Sequence, residues 1–163
     1  MCGVFAALSV ALAYLAKSVF GTGPLRVTFE NLPVFVISFA YGPLWGGLCA
    51  VTADLLSCLM AGQAPLMLIT VGSALTALLS GLIYRFLADR LKNIVRFGVP
   101  VFAGHAVGSV IVKSWALSRW YGNVVFWRIP VYLAIAAAET FFVYILFTRK
   151  QTAGLIRSAG GKA

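Results

Sequence analysis

Long apolar stretches separated by short polar ones are the dominant pattern along this chain. Residues 1–16 carry no charged side chain, and residues 31–84 carry only Asp54. Residues 97–112 hold one histidine and no formal charge, and residues 129–148 hold a single glutamate. A helix that crosses a bilayer needs about 20 mainly apolar residues. The pattern therefore predicts an all-α integral membrane protein.

The apolar run 31–84 is too long for two ordinary spans and contains two turn signals, Gly42-Pro43 and Gly62-Gln63-Ala64-Pro65. We therefore predict three helices in this run, the first of them short, at about 30–41, 44–60 and 67–87. Together with the other three apolar runs this gives six transmembrane helices. We expect one membrane-embedded domain covering residues 1–163.

Lysine and arginine in the short loops predict the orientation, because they are enriched on the cytoplasmic side. With six spans, eight basic residues lie on the side of the termini and five on the other side. The five are Lys17, Arg26, Lys113, Arg119 and Arg128. We therefore predict that both termini are cytoplasmic.

The first apolar run leaves one alternative open. The motif Ala-x-Ala in "ALAYLAK" is also found at signal-peptide cleavage sites. Signal peptides carry basic residues before the apolar stretch, and this chain has none there. We therefore expect residues 1–16 to form the first span.

Composition supports the membrane assignment and excludes a nucleic-acid-binding protein. Hydrophobic residues make up 61% of the chain and charged residues 10%, against about 45–50% and about 25% in soluble domains. The net charge is +9, but the basic residues lie between apolar segments rather than in one patch with interleaved aromatics. We therefore expect the lipid bilayer, and no nucleic acid, as a partner.

The motifs of several enzyme classes are absent from the sequence. It contains no P-loop, no G-x-S-x-G elbow and no H-E-x-x-H motif. A single histidine cannot form a multi-histidine metal site, and the three cysteines lack the close spacing of a zinc site. We expect no cofactor, no metal and no catalytic residue. An intramembrane transferase or protease that uses Asp54, Glu139 or His105 remains an alternative.

Ionisable residues inside membrane spans are costly, so each is a candidate functional residue. Asp54 is predicted to lie nearer the outer surface, and Glu139 in the middle of the last span. Each has an alternative role as an interhelical partner, Asp54 with Lys113 and Glu139 with a hydroxyl group. The sequence alone leaves both roles open.

Two predicted outer segments contain residues that recognise ligands. Residues 21–33 offer Arg26, Phe29 and Asn31, and residues 113–128 combine cations with flat aromatic rings. Arginine binds carboxylates through two parallel hydrogen bonds, so this combination suits an anionic, aromatic solute. The aromatic residues have an alternative role as an interfacial belt.

Small residues recur at helical spacing in several of the predicted spans. The pairs and series are Ala7-xxx-Ala11, Gly42-xxx-Gly46, Ser73-xxx-Ala77-xxx-Gly81 and Gly104-xxx-Gly108. In membranes such spacing allows helices to approach closely. Most are expected to serve internal packing, and the pair on the first helix could instead face a partner subunit.

Three stretches of the chain carry a resemblance to a known family. They are "RVTFENLPVFVISFAYGPLWGGLCAVTADLL" (26–56), "ALTALLSGLIYRFL" (74–87) and "SWALSRWYGNVVFWRIPVYLAI" (114–135). In order and spacing they resemble the substrate-binding S components of energy-coupling factor (ECF) vitamin transporters, and among these the folate group.

The resemblance implies a function, a set of partners and a binding site. An S component is a six-helix subunit of the bacterial cell membrane that captures a vitamin outside the cell. It works with a transmembrane coupling subunit, here expected to contact Ala7 and Ala11, and two cytoplasmic ATPases. The vitamin would lie under the loops 21–31 and 61–66, with Asp54 holding the N–H edge of a pterin-like ring.

The candidate substrate-binding residues share a predicted position in or near the outer half of the protein. They are Arg26, Phe29, Asn31, Asp54, Gln63, His105, Lys113, Trp115, Arg119, Trp120, Tyr121 and Arg128. The folate group usually has Asn-Thr where this chain has Lys113-Ser114, so another vitamin or precursor is an alternative. A structural membrane subunit that binds no solute is a further alternative.

Overall fold

The computed structural model describes residues 2–20, 29–87, 89–122 and 128–149. All regular structure in these ranges is helical. The elements in chain order are α1 (Cys2–Phe20), α2 (Asn31–Tyr41), α3 (Pro43–Met60), α4 (Met67–Leu87), α5 (Val95–Gly104), a π-helix (His105–Lys113), α6 (Ser114–Tyr121) and α7 (Arg128–Thr148). The prediction of an all-helical protein is confirmed for the described residues.

Four helices are long and apolar enough to cross a membrane. They are Pro43–Met60, Met67–Leu87, the continuous span Val95–Ser118 and Ile129–Thr148. The helices Gly3–Ser18 and Asn31–Tyr41 are apolar but shorter. The helices lie where the sequence predicted them, and the protein is an integral membrane protein. Full crossing by the two shorter helices and the cytoplasmic location of the termini stay predictions.

The turns between successive helices define two ends of the bundle. Because chain direction alternates between successive spans, α1, α3 and α6 end near Gly62. Helices α2, α4 and α7 begin at this same end of the bundle. We call this end the Gly62 face, and the opposite end, with the α2–α3 turn, the Gly42 face. In the predicted orientation the Gly62 face is the outer one.

The short helix α2 lies at the centre of the bundle. It packs against α1, α3, α4 and α7, and Phe35 and Val36 are fully buried. A helix that is apolar all round is expected in such an interior position. Its 11 residues rise only about 16 Å, about half of the hydrocarbon thickness of a bilayer. Helix α2 therefore fills the half of the bundle near Gly42 and begins at mid-depth.

Glycines bring the π-helix and α4 into direct backbone contact. A Cβ atom on Gly104 would lie 2.7 Å from the Thr76 carbonyl oxygen, and one on Gly72 would lie 2.9 Å from the Gly108 carbonyl oxygen. These distances exclude any side chain at the two positions. The sequence prediction that Gly104 and Gly108 serve close helix packing is confirmed.

Large apolar side chains cover the outside of the bundle. Met67, Leu44, Val4 and Phe86 are among the most exposed of them. A protein in water rarely exposes so much apolar surface, whereas lipid tails accept it. The outward faces of the helices therefore match the bilayer as solvent.

Candidate functional site

A network of buried polar groups joins α1, α3 and α4 near the Gly62 face. The Lys17 ammonium donates to Asp54 Oδ1 at 3.2 Å and to Ser57 Oγ at 2.6 Å. The Thr70 hydroxyl donates to Asp54 Oδ2 at 2.6 Å. Lys17 is 4% exposed and Asp54 8%. Both carboxylate oxygens of Asp54 thus accept a hydrogen bond, and its charge is balanced by Lys17.

This network corrects two sequence predictions. Lys17 is not an outer loop charge but a buried residue of α1, and Asp54 pairs with Lys17 rather than with Lys113. The physical reason is that an ionised group inside a membrane protein requires a partner of opposite charge. Lys17 lies close enough to supply it, since α1 packs directly against α3.

A cleft lies beside Asp54, where α2 begins at mid-depth. It is lined by Ser9, Ala13, Glu30, Asn31, Val34, Ala50, Ala53, Asp54 and Ser73. The Ser9 hydroxyl donates to the Glu30 carbonyl oxygen at 2.9 Å and closes one side. In this conformation the cleft has room for about one water molecule. Asp54 and Asn31, two of the predicted site residues, are brought together here.

A second buried polar cluster joins the π-helix to α7. His105 Nε2 and Glu139 Oε2 are 2.6 Å apart, and His105 Nδ1 lies 3.2 Å from the Ser109 hydroxyl. Glu139 is 0% exposed. The sequence alternative of a hydroxyl partner for Glu139 is wrong, because the partner is His105. We call His105, Ser109 and Glu139, together with the neighbouring Lys113, the Glu139 cluster.

Lys113 and Glu30 complete the electrostatic surroundings of Glu139. Both lie close enough to act on the Glu139 carboxylate through their charges. Lys113 is 5% exposed, so, like Lys17, it is not an outer loop charge. The Glu139 cluster and the cleft are therefore linked through Glu30, whose charge acts on Glu139 and which lines the cleft.

Of the remaining predicted site residues, Phe29 lies beside the start of α2, and Gln63 and Trp115 lie towards the Gly62 face. Phe29 makes an edge-on contact with Phe142, with ring centroids 6.3 Å apart. Gln63 is half-buried in the turn after α3, and Trp115 is 56% exposed on α6. The following fall outside the described residues or have undescribed side chains: Arg26, Arg119, Trp120, Tyr121 and Arg128.

Sequence reasoning missed several residues that the structure places in these sites. They are Ser9, Lys17, Glu30, Thr70, Ser73 and Ser109. For Lys17 a usable signal existed, because Ser9, Ala13 and Lys17 recur at four-residue spacing on one face of α1. In the described part of the chain, no group of three or more His, Cys, Asp or Glu residues could hold a metal ion.

Comparison with protein families identifies the family of this chain. The family model of the substrate-specific component of ECF transporters matches residues 1–155. The chain belongs to this family. Comparisons with curated proteins and with solved structures gave no match.

Membership in the family fixes the general role of this S component. It is a membrane-embedded, substrate-binding subunit of an uptake transporter that couples to an ECF module, and it is not an enzyme. Its helix α1 presents two different faces. Ser9 and Lys17 point into the bundle, whereas Ala7 and Ala11 are exposed on the outer side.

Proposed function

We propose that the S component captures folate or a related vitamin at the Gly62 face and delivers it with an ATPase-driven ECF module. The observation that carries this proposal is the cleft at the start of α2, whose wall combines Glu30, Asn31, Asp54 and Ser73 with apolar residues. Polar groups are expensive at this depth in a membrane protein. A solute that hydrogen-bonds them offsets that cost.

The cleft must widen to accept a vitamin. Drug-sized ligands occupy pockets of about 300–1,000 Å³, whereas the present conformation holds about one water molecule. The described structure is therefore a closed conformation in this proposal. The loops 21–31 and 61–66 and the predicted residues Arg26, Phe29 and Gln63 would cover the bound vitamin, with Arg26, Arg119 and Arg128 binding its carboxylates.

A vitamin that binds the folded S component should raise its thermal stability. At a free concentration 100 times Kd, simple linkage gives about 2.7 kcal/mol. The measurement is a thermal-shift titration of the detergent-purified protein against a vitamin panel led by folate and its reduced and formylated forms. A saturable shift with folates supports the proposal. A shift with another vitamin only would retain the uptake function and reject folate, and no shift would favour a structural subunit.

The exposed alanines of α1 are proposed to contact the transmembrane coupling subunit of the ECF module. Replacing Ala7 and Ala11 together by tryptophan should lower the yield of the co-purified coupling subunit and two ATPases by about tenfold or more, because close helix approach needs small residues. Vitamin binding by the isolated S component should not change.

The matched control for the α1 variant changes exposed alanines of another helix. Ala134 and Ala137 lie on the outer side of α7. Their replacement by tryptophan adds the same bulk to the lipid-facing surface and should leave the complex intact. Equal losses from α1 and α7 would show that α1 is not the specific contact.

A further inference from the structure

The two buried carboxylates of the described core differ in how many of their oxygens accept a hydrogen bond. Asp54 has a donor on each oxygen, Lys17 on Oδ1 and Thr70 on Oδ2. Glu139 has a donor on Oε2 only, and within the described residues its Oε1 is buried without a hydrogen-bond partner. Leaving a buried acceptor unsatisfied costs about 1–3 kcal/mol, and more for a charged group. Such an oxygen requires an explanation.

The position of this oxygen is fixed by the side chains around it. The ionised form of Glu139 can only accept, so in that form the His105 Nε2 atom, 2.6 Å from Glu139 Oε2, carries the shared hydrogen. The His105 ring is held between Phe35 and Tyr132, with centroid distances of 5.4 and 5.9 Å. His105 therefore anchors one oxygen of Glu139 and leaves the other as an acceptor in a fixed place.

Lys113 adds a positive charge to the surroundings of this acceptor. Its aliphatic chain packs on α4, where a Cβ atom on Gly72 would lie 2.7 Å from Lys113 Cγ. Within the described residues its ammonium makes no hydrogen bond or ion pair. Lys113 still acts on Glu139 through its charge. The Glu139 cluster thus offers one acceptor that is withdrawn from water, Glu139 Oε1, and the cationic side chain of Lys113.

We propose that the Glu139 cluster is the recognition site for the ring of the solute, an inference that rests on the proposed function. Glu139 Oε1 accepts an N–H of the solute, and the Lys113 ammonium donates to a neighbouring carbonyl oxygen. The substrate class is a nitrogen heterocycle with an N–H donor and a C=O acceptor on one edge. A simple organic cation fits less well, because the positive charge of Lys113 already acts on the Glu139 carboxylate.

The cleft gives this ring its path to Glu139. Glu30 lines the cleft and acts on the Glu139 carboxylate, and Ser73 of the cleft wall follows Gly72, on which Lys113 packs. In this proposal a solute that enters beside Asp54 reaches Glu139 past Glu30 and Ser73 of the cleft wall, once the cleft has widened. In this proposal Glu139, rather than Asp54, is the carboxylate that binds the N–H of the ring.

The test measures the affinity of two rings by calorimetry. One probe is the 2-amino-4-oxo-pteridine ring, and the other is the same ring methylated at N3, which has lost that N–H donor. The wild-type S component should bind the methylated ring about tenfold or more weakly, because a site built to bind an N–H group rejects an analogue that lacks it. Equal affinity for the two rings would overturn the inference without any variant.

The variant Glu139→Gln tests which carboxylate is responsible. In this variant His105 would donate to the amide oxygen, so the amide NH2 would take the place of Oε1. Two donors, the amide NH2 and the N–H of the ring, would then face each other. The variant should lose about tenfold or more in affinity for the intact ring and no longer discriminate between the two rings. Thr140→Val is the matched control, since Thr140 is buried on the same helix and its hydroxyl donates only to the Ala136 carbonyl oxygen.

The outcomes separate this inference from the proposed function. If Glu139→Gln discriminates like the wild type, the inference is wrong and vitamin capture stands. If Asp54→Asn rather than Glu139→Gln abolishes the discrimination, the N–H edge belongs to Asp54. If the wild type responds only to vitamins without such a ring, the substrate class is wrong. If the wild type binds no vitamin of the panel, the proposed function fails and this site fails with it.

Discussion

Replacing Lys17 by methionine is expected to lower the apparent melting temperature of the purified S component by about 10 °C. The variant leaves Asp54 buried with its charge unbalanced and only Thr70 as donor. Removing one partner of a buried pair costs about 3–5 kcal/mol, and about 1 kcal/mol shifts the melting temperature by about 2–4 °C in a chain of this size. Thermal unfolding in detergent, followed by the fluorescence of the tryptophans, measures the effect.

The control for this prediction is the double variant Lys17→Met/Asp54→Leu. A buried ion pair replaced by apolar residues is often neutral in stability. The remaining hydroxyls keep acceptors, since Ser57 also bonds the Asp54 carbonyl oxygen and Thr70 lies 3.5 Å from the Leu66 carbonyl oxygen. The double variant should recover most of the lost stability. A double variant as unstable as Lys17→Met would show that Lys17 acts through packing rather than charge.

Replacing Gly108 by alanine is expected to destabilise the S component by about 3 kcal/mol. The added methyl group would meet Thr76 Oγ1 and the Gly72 carbonyl oxygen, and the Thr76 backbone nitrogen would be 2.8 Å away. Overfilling a packed interior costs about 1–3 kcal/mol, and the upper end applies because backbone atoms of α4 cannot rotate away. The same thermal unfolding assay measures this loss.

Gly98→Ala is the matched control in the same membrane span. Among the described residues, a Cβ atom at Gly98 would meet only Thr140 Cγ2, at 3.4 Å, which is an ordinary contact. Since alanine favours helix over glycine by about 1 kcal/mol, this variant should be neutral or slightly stabilising. If both variants lost stability equally, the close contact between the π-helix and α4 would not be the cause.

The helices could be predicted from the sequence because each one is a long apolar run bounded by turn residues. Gly42, which has a φ of 104°, and Pro43 at the first turn of α3 marked the division between α2 and α3 correctly. The small-residue series in α4 also lies in the interior, with Ala77 fully buried. These features follow from local chemistry, which a single sequence displays directly.

The pairing of the charges could not be predicted, because it depends on how the helices pack. Asp54 and Lys17 are 37 positions apart, and the spacing that places Lys17 on the Ser9 face of α1 does not indicate which carboxylate that face meets. His105 and Glu139 are likewise brought together only when the π-helix meets α7. The proposed roles of Arg26, Arg119 and Arg128 stay predictions, since their side chains lie outside the described residues.

Helix α1 is built so that a mechanical load on its outer side reaches the cleft directly. Its inner side is tied to α2 by the bond from Ser9 to Glu30 and to α3 by the bonds from Lys17 to Asp54 and Ser57. Its outer side carries Ala7, Ala11 and the exposed apolar residues Val4, Leu8 and Leu15. A partner that binds this side and tilts α1 would therefore displace α2 and α3 together, and with them two walls of the cleft. Helix α1 would then transmit the motion of the partner to the cleft.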